Sequence, residues 1–146
     1  MTGADFAVTD AAARSTGKHV RVEDGKKARP LYQNRDSKVL SQVSFFTPLH
    51  PEHEFDSFVG GFTGGTERRG GKMTRRTQWS YRGVQVTEQL HDYGPGAKHG
   101  LQYCQSLFAR LPKKVVIVES MAVTSDPSKV KGDDLMKSIL ASQTTN

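Results

Sequence analysis

Between Gly83 and Ala122 the chain alternates apolar and polar residues in three successive runs. Val84, Val86, Glu88 and Leu90 interleave with Gln85, Thr87, Gln89 and His91, and Leu101, Tyr103, Gln105, Leu107 and Ala109 interleave with Gln102, Cys104, Ser106, Phe108 and Arg110. The third run, from Val115 to Ala122, opens with Val115-Val116-Ile117-Val118, apolar on both faces. A period of two marks β-strands with one covered face, and a run apolar on both faces marks the most buried strand. Asp92-Tyr93-Gly94-Pro95-Gly96 and Pro112-Lys113-Lys114 separate the runs, and such short turns favour an antiparallel meander. After Ala122 the period changes. Leu135, Met136, Ile139 and Leu140 share one face of a helix over about Asp133 to Ser142, with two acids at its positive end. The pattern predicts an α+β fold, mainly antiparallel β-sheet with a meander at 83–122, packed by a C-terminal α-helix.

Upstream, Lys18–Val22 and Lys38–Thr47 alternate like strands, Ala28–Tyr32 is a shorter candidate, and Glu23-Asp24-Gly25-Lys26 reads as a hairpin turn. Phe55 to Phe62 reads as a further strand running into glycines. Six glycines in the thirteen residues from Gly60 to Lys72 predict a long Gly/Arg-rich loop at 60–72. Thr74–Tyr81 regains β-formers. Residues 1–16 lack an apolar face and read as a flexible N-terminal arm, leaving 17–146 as a single α+β domain.

Hydrophobic residues make up 35% of the 146, with a mean hydropathy of −0.58, so part of the chain is expected outside the core. No run approaches a membrane span, and Met1–Arg14 lacks the apolar stretch of a secretory signal. Cys104 is the single cysteine, which excludes an internal disulfide and multi-cysteine metal sites. Its place in a strand-like run reads as a small buried hydrophobe, and a reducing compartment is favoured.

The net charge is +6, and residues 67–82 carry +5 of it: Arg68, Arg69, Lys72, Arg75, Arg76 and Arg82 against Glu67. With Trp79 and Tyr81 these form the candidate partner- or polyanion-binding set. Cations neutralise phosphates or dock on acidic proteins, and aromatic faces can stack on bases. The bland alternative is a charged edge that blocks aggregation. Arg75, Thr77 and Trp79 would share one strand face, and Arg76, Gln78 and Ser80 the other.

Catalytic and cofactor motifs do not survive inspection. Gly71-Lys72 lacks the upstream glycine of a phosphate loop, since Thr66 stands there, and Met73 follows the lysine in place of Ser or Thr. His50-Pro51-Glu52-His53-Glu54 reads as a polar loop, because Pro51 is expected to break the helix a zinc motif needs. His91-Asp92 has no serine beside it. Glu88 and Glu119 could face a pocket, but spacing alone cannot pair them. The expectation is no catalytic residue, no metal and no cofactor.

The three strands with Gly83-Val84-Gln85-Val86, the Asp126-Pro127 step and the Met136-Lys137-Ser138-Ile139 run of the last helix resemble the latter half of the PsbP/Mog1-like α+β family, over about residues 80–142. The first half lacks that family's strand–Pro–x–x–Trp opening. The resemblance implies an adaptor role with no catalytic residues to carry over. The function expected is a non-enzymatic interaction or assembly protein, an accessory subunit docking through the Gly/Arg loop and N-terminal arm, with a protein partner or larger complex. A homo-oligomer is compatible with the sequence. The alternatives are an RNA-binding or viral coat-like protein using the same basic patch, and a small-ligand carrier or enzyme with a pocket between sheet and helix. A cavity near Glu88, Tyr103 and His91 would favour the last.

Overall fold

A computed structural model describes residues 3–22, 30–47 and 51–144. The Asp24-Gly25 turn and His50 lie outside the described residues. The elements run α1 (Gly3–Ser15), β1 (His19–Val22), β2 (Leu31–Asn34), β3 (Leu40–Phe46), α2 (Pro51–Arg68), β4 (Lys72–Tyr81), β5 (Val84–Asp92), β6 (Tyr103–Arg110), β7 (Val115–Ala122) and α3 (Asp133–Thr144). Seven strands form one antiparallel sheet in the order β1-β2-β3-β7-β6-β5-β4. The fold is α+β and mainly sheet. The meander β5-β6-β7 holds its centre, and Val115, Val116, Ile117 and Val118 are fully buried.

Both faces of the sheet are used. Leu135, Met136, Ile139 and Leu140 of α3 are fully buried against Val43, Val86, Leu107, Ala109, Val116 and Val118. Gln105 anchors the start of α3. Its Oε1 accepts from the Gly132 N–H at 2.8 Å, and its Nε2 donates to Asp133 Oδ1 at 3.0 Å. A satisfied buried amide fixes where the helix begins.

The expected arm is helix α1. Ala12 and Ala13 are almost fully buried beside α3, and Ser138 Oγ donates to the Ala12 carbonyl at 2.7 Å. Tyr32 Oη donates to Asp10 Oδ1 at 2.6 Å, and Lys114 pairs with Asp5 at 3.1 Å. Two alanines give close helix–helix approach without a bulky apolar stripe, so periodicity did not reveal the helix.

The larger correction is α2. Residues 51–68 are helical, so neither the Phe55–Phe62 strand nor a loop covering 60–72 exists; only the turn after Arg68 remains. Phe55, Phe58, Val59 and Phe62 stand at i, i+3, i+4 and i+7, which is helical spacing. They pack on Phe46, Phe108, Val115 and Ile117, on the sheet face opposite α3. Phe62 meets Phe108 edge-on with ring centroids 5.1 Å apart. Gly60 and Gly61 lie on the exposed side. Burial of the aromatics outweighs the helix penalty of about 1 kcal/mol per glycine. Pro51 opens the helix, at a position where a missing N–H costs nothing. Pro51 to Glu54 therefore form the first turn of α2 and not a polar loop.

Gly70 and Gly71 end α2. Gly70 has φ +99°, its N–H bonds the Glu67 carbonyl at 3.0 Å, and the Gly71 N–H bonds the Thr66 carbonyl at 3.1 Å. This pair of bonds around a left-handed residue is a Schellman motif.

A cavity at the end of helix α2 and a basic sheet edge

The register of the sheet builds the floor of a cavity. Met73, His91, Cys104 and Met121 are consecutive cross-strand neighbours on β4, β5, β6 and β7. Opposed residues in antiparallel strands share a face, here that of α2. The next row holds Arg76, Gln89, Ser106 and Glu119. Gln89 Oε1 accepts from Thr63 Oγ1 of α2 at 2.7 Å, which places this row beneath the helix.

The 93–102 loop forms the wall. Asp92 Oδ1 accepts from the Gly94 N–H at 2.7 Å and from Gln102 Nε2 at 3.1 Å, and the Tyr93 N–H bonds the Gln102 carbonyl at 2.7 Å. Positive φ at Gly94, His99 and Gly100 turns the chain so that Ala97, Lys98 and Leu101 come over the sheet. A Cβ at Gly71 would lie 3.1 Å from the Tyr93 ring, so glycine lets the turn after α2 pass close to that ring. The result is a cavity of about 440 Å³ lined by Arg69, Tyr93, Ala97, Lys98, Leu101, Cys104, Glu119 and Met121.

Its titratable groups are tuned by burial. The Cys104 thiol is pushed up to about 12, first by burial and then by Glu119. It is therefore a neutral thiol at physiological pH, as expected of a buried apolar cysteine, and it lacks the thiolate character of a nucleophile. Burial, and after it Cys104, raise Tyr93, while the nearby Arg69 cation pulls it back. His91 is buried, with both ring nitrogens unpartnered, and burial lowers its pKa against the opposing pull of Glu67. Among the described residues no three His, Cys, Asp or Glu side chains gather into a metal-binding group.

The basic set is divided by the fold. Arg68 ends α2 and Arg69 follows it in the turn, with their guanidinium groups lying back toward Gly64 and Gly65. Lys72, Arg75 and Arg76 stand on β4, and Arg82 forms the β4–β5 turn with Gly83, both at positive φ. Ten residues of strand separate Lys72 from Arg82, roughly 33 Å at the usual strand rise. Thr74 is the extra residue of a bulge, and beyond it Arg75, Thr77 and Trp79 share the α3 face while Arg76, Gln78 and Ser80 share the α2 face. Arg75 is paired with Glu88 at 2.5 Å. Trp79 and Tyr81 are half-buried against the core, Lys137 Nζ sits 5.6 Å from the centre of the Trp79 ring, and the Arg82 guanidinium lies over Tyr81. These aromatics are not free platforms. What the eight residues share is the outermost strand and its approach, since β4 ends the sheet.

Only Arg69 of that set lines the cavity. Glu88, Tyr103 and His91 do not line it, although His91 is the cross-strand neighbour of Cys104, which does. Tyr93, Lys98, Leu101, Cys104 and Met121 were not singled out as a constellation, because only the register and the loop bring them together. A wider concavity between α1 and β1, lined by Asp10, Arg14, His19, Arg21, Tyr32 and Arg35, lies near the opposite edge.

No family model matches the chain, and no curated protein or solved structure does either. No helix among the described residues is long and apolar enough to cross a membrane.

Proposed function

We propose that the protein is a non-catalytic interaction module that captures an extended acidic segment of a partner protein along the free edge of β4. The observation that carries this reading is the edge itself. β4 is the longest strand, with ten residues, and among the described residues nothing pairs with its outer side. An unpaired edge offers a row of backbone donors and acceptors to an added strand. Lys72, Arg76 and Arg82 are exposed along it, and Arg75 adds a half-neutralised charge. Cations distributed along a strand match acids distributed along another. Base stacking is less well served, because Trp79 and Tyr81 face the core. The likeness of residues 80–142 to the PsbP/Mog1-like family points the same way, toward an adaptor.

The test uses a ten-residue peptide that alternates Asp or Glu with Val or Thr, followed by fluorescence anisotropy. Binding should weaken as salt rises, and Lys72→Glu with Arg76→Glu should weaken it about tenfold, equivalent to about 1.4 kcal/mol for two exposed pairs. N-methylation of alternate peptide amides should abolish binding in one parity and spare it in the other, because only one parity faces β4. Equal effects of both parities exclude strand addition. An oligonucleotide that binds while the peptide does not replaces this reading with nucleic-acid binding.

A further inference from the structure

Met73, His91, Cys104 and Met121 stand side by side on β4, β5, β6 and β7, as one row on the sheet face beneath α2. Together they hold two thioethers, an imidazole and a thiol, the donor types that soft metal ions prefer. The central pair, His91 and Cys104, carries the argument. His91 is 1% exposed, and neither of its ring nitrogens has a hydrogen-bond partner. Leaving a buried imidazole unpaired costs free energy, so such a group calls for an explanation. Its neighbour Cys104 is 8% exposed, and its thiol reaches the Gln105 carbonyl only at 3.9 Å. Directly opposed residues on antiparallel strands have Cβ atoms about 4.5–5.5 Å apart. Metal–sulfur and metal–nitrogen bonds of about 2.3 and 2.1 Å need donor atoms within about 4.4 Å of each other, a separation that side chains so placed can reach. Cys104 and Met121 also line the cavity of about 440 Å³, which gives an ion a path to both sulfurs.

We infer that His91 and Cys104, joined by the thioether of Met121, bind one soft monovalent metal ion, Cu(I). Met121 is the third ligand because it neighbours Cys104 and lines the same cavity, whereas Met73 lies beyond His91 on the outermost strand. Thiolate and thioether sulfur select Cu(I) over harder ions, and imidazole suits copper as well. The binding step is an exchange. The Cys104 S–H bond breaks, a sulfur–copper bond forms, the proton leaves to solvent, and no electron is transferred. A monovalent ion in place of a proton leaves the charge of the buried site unchanged. A divalent ion adds one positive charge there, and burying an uncompensated charge is costly. That difference, with the sulfur donors, sets the site against Zn(II). The inference stands apart from peptide capture by the β4 edge.

The experiment titrates the full chain anaerobically with Cu(I), kept reduced by ascorbate, in competition with the colorimetric chelator bicinchoninate. The protein should withdraw one Cu(I) per chain and develop the near-ultraviolet absorption of a copper–thiolate bond. Cys104→Ser should abolish that absorption. His91→Gln and Met121→Leu should each weaken Cu(I) binding roughly tenfold or more while the absorption persists, and Met73→Leu should leave the affinity unchanged. Zn(II) in excess should not displace Cu(I). In the unmodified protein, amide shifts on adding Ag(I), a redox-inert ion of the same charge and softness, should centre on His91, Cys104 and Met121, a readout that does not depend on any variant folding. The inference is overturned if no Cu(I) leaves the chelator, if Cys104→Ser or His91→Gln binds as well as the unmodified chain, if Zn(II) displaces Cu(I), or if the Ag(I) shifts map elsewhere.

Discussion

Replacing Gly60 and Gly61 with alanine tests the element that covers the second face of the sheet. Both glycines lie inside α2, on its exposed side, and a Cβ at either position meets nothing within 4 Å. Neither has a positive φ. Alanine therefore adds no clash, and it removes the conformational freedom that glycine has in the unfolded chain. Each substitution should stabilise by about 0.5–1 kcal/mol, and the pair by about 1–2 kcal/mol. For a domain of this size that corresponds to a rise in Tm of roughly 3–8 °C. Gly70→Ala is the counter-probe. Its φ of +99° forces a side chain into the left-handed region, and the substitution should cost about 1 kcal/mol. Thermal unfolding by circular dichroism reads all three variants. In a mobile glycine loop all three would be close to neutral. Unchanged Tm values across the series, or a fall on alanine at 60 and 61, would refute the helical assignment.

Further outcomes follow from the same packing. Gly132→Ala should destabilise by about 1–3 kcal/mol in urea unfolding, since its Cβ would overlap Ser120 Oγ and lie 2.9 Å from Val118 Cγ1; a neutral effect would contradict the close approach of α3. Burial lowers the folded-state pKa of His91, opposed by Glu67, and of His19, opposed by Asp134 and aided by Lys18. The unfolded chain thus takes up protons first, and this contribution to stability is complete above about pH 6.5 and is lost as pH falls through the folded values. Urea midpoints should fall between pH 7 and pH 5, and His91→Phe should flatten that fall; an unchanged slope would remove His91 from the account. Cys104, with its thiol near 12 and only 8% exposed, should react with a disulfide reagent at pH 8 far more slowly in the folded protein than in guanidinium, and an immediate reaction would contradict its burial.

The strands and the last helix were legible because each carries one unmixed period. Val84–Leu90 alternates by two, and Leu135, Met136, Ile139 and Leu140 repeat at helical spacing, so local pattern and tertiary burial agree. In α2 they conflict. Four internal glycines argue for a loop, whereas Phe55, Phe58, Val59 and Phe62 keep a helical stripe, and the stripe prevailed because it has an apolar sheet face to cover. Gly70-Gly71 is a helix stop, which composition alone does not distinguish from flexibility. In α1 the contact surface is alanine, too small to register as amphipathic. The basic residues were visible as charge, but their division between a helix end, two strand faces and a turn depends on the bulge at Thr74. The cavity was least legible. Cys104 meets His91 through strand register and Lys98 through a loop whose path depends on three residues at positive φ, and neither relation leaves a period in the sequence.

Amide hydrogen exchange of the protein with and without the acidic peptide tests the role of β4 most directly. Strand capture predicts new protection at alternate residues of Thr74–Tyr81, the amides that point away from β5, with no change at the other edge, His19–Val22. Protection absent from β4, or spread equally over both edges, would contradict it.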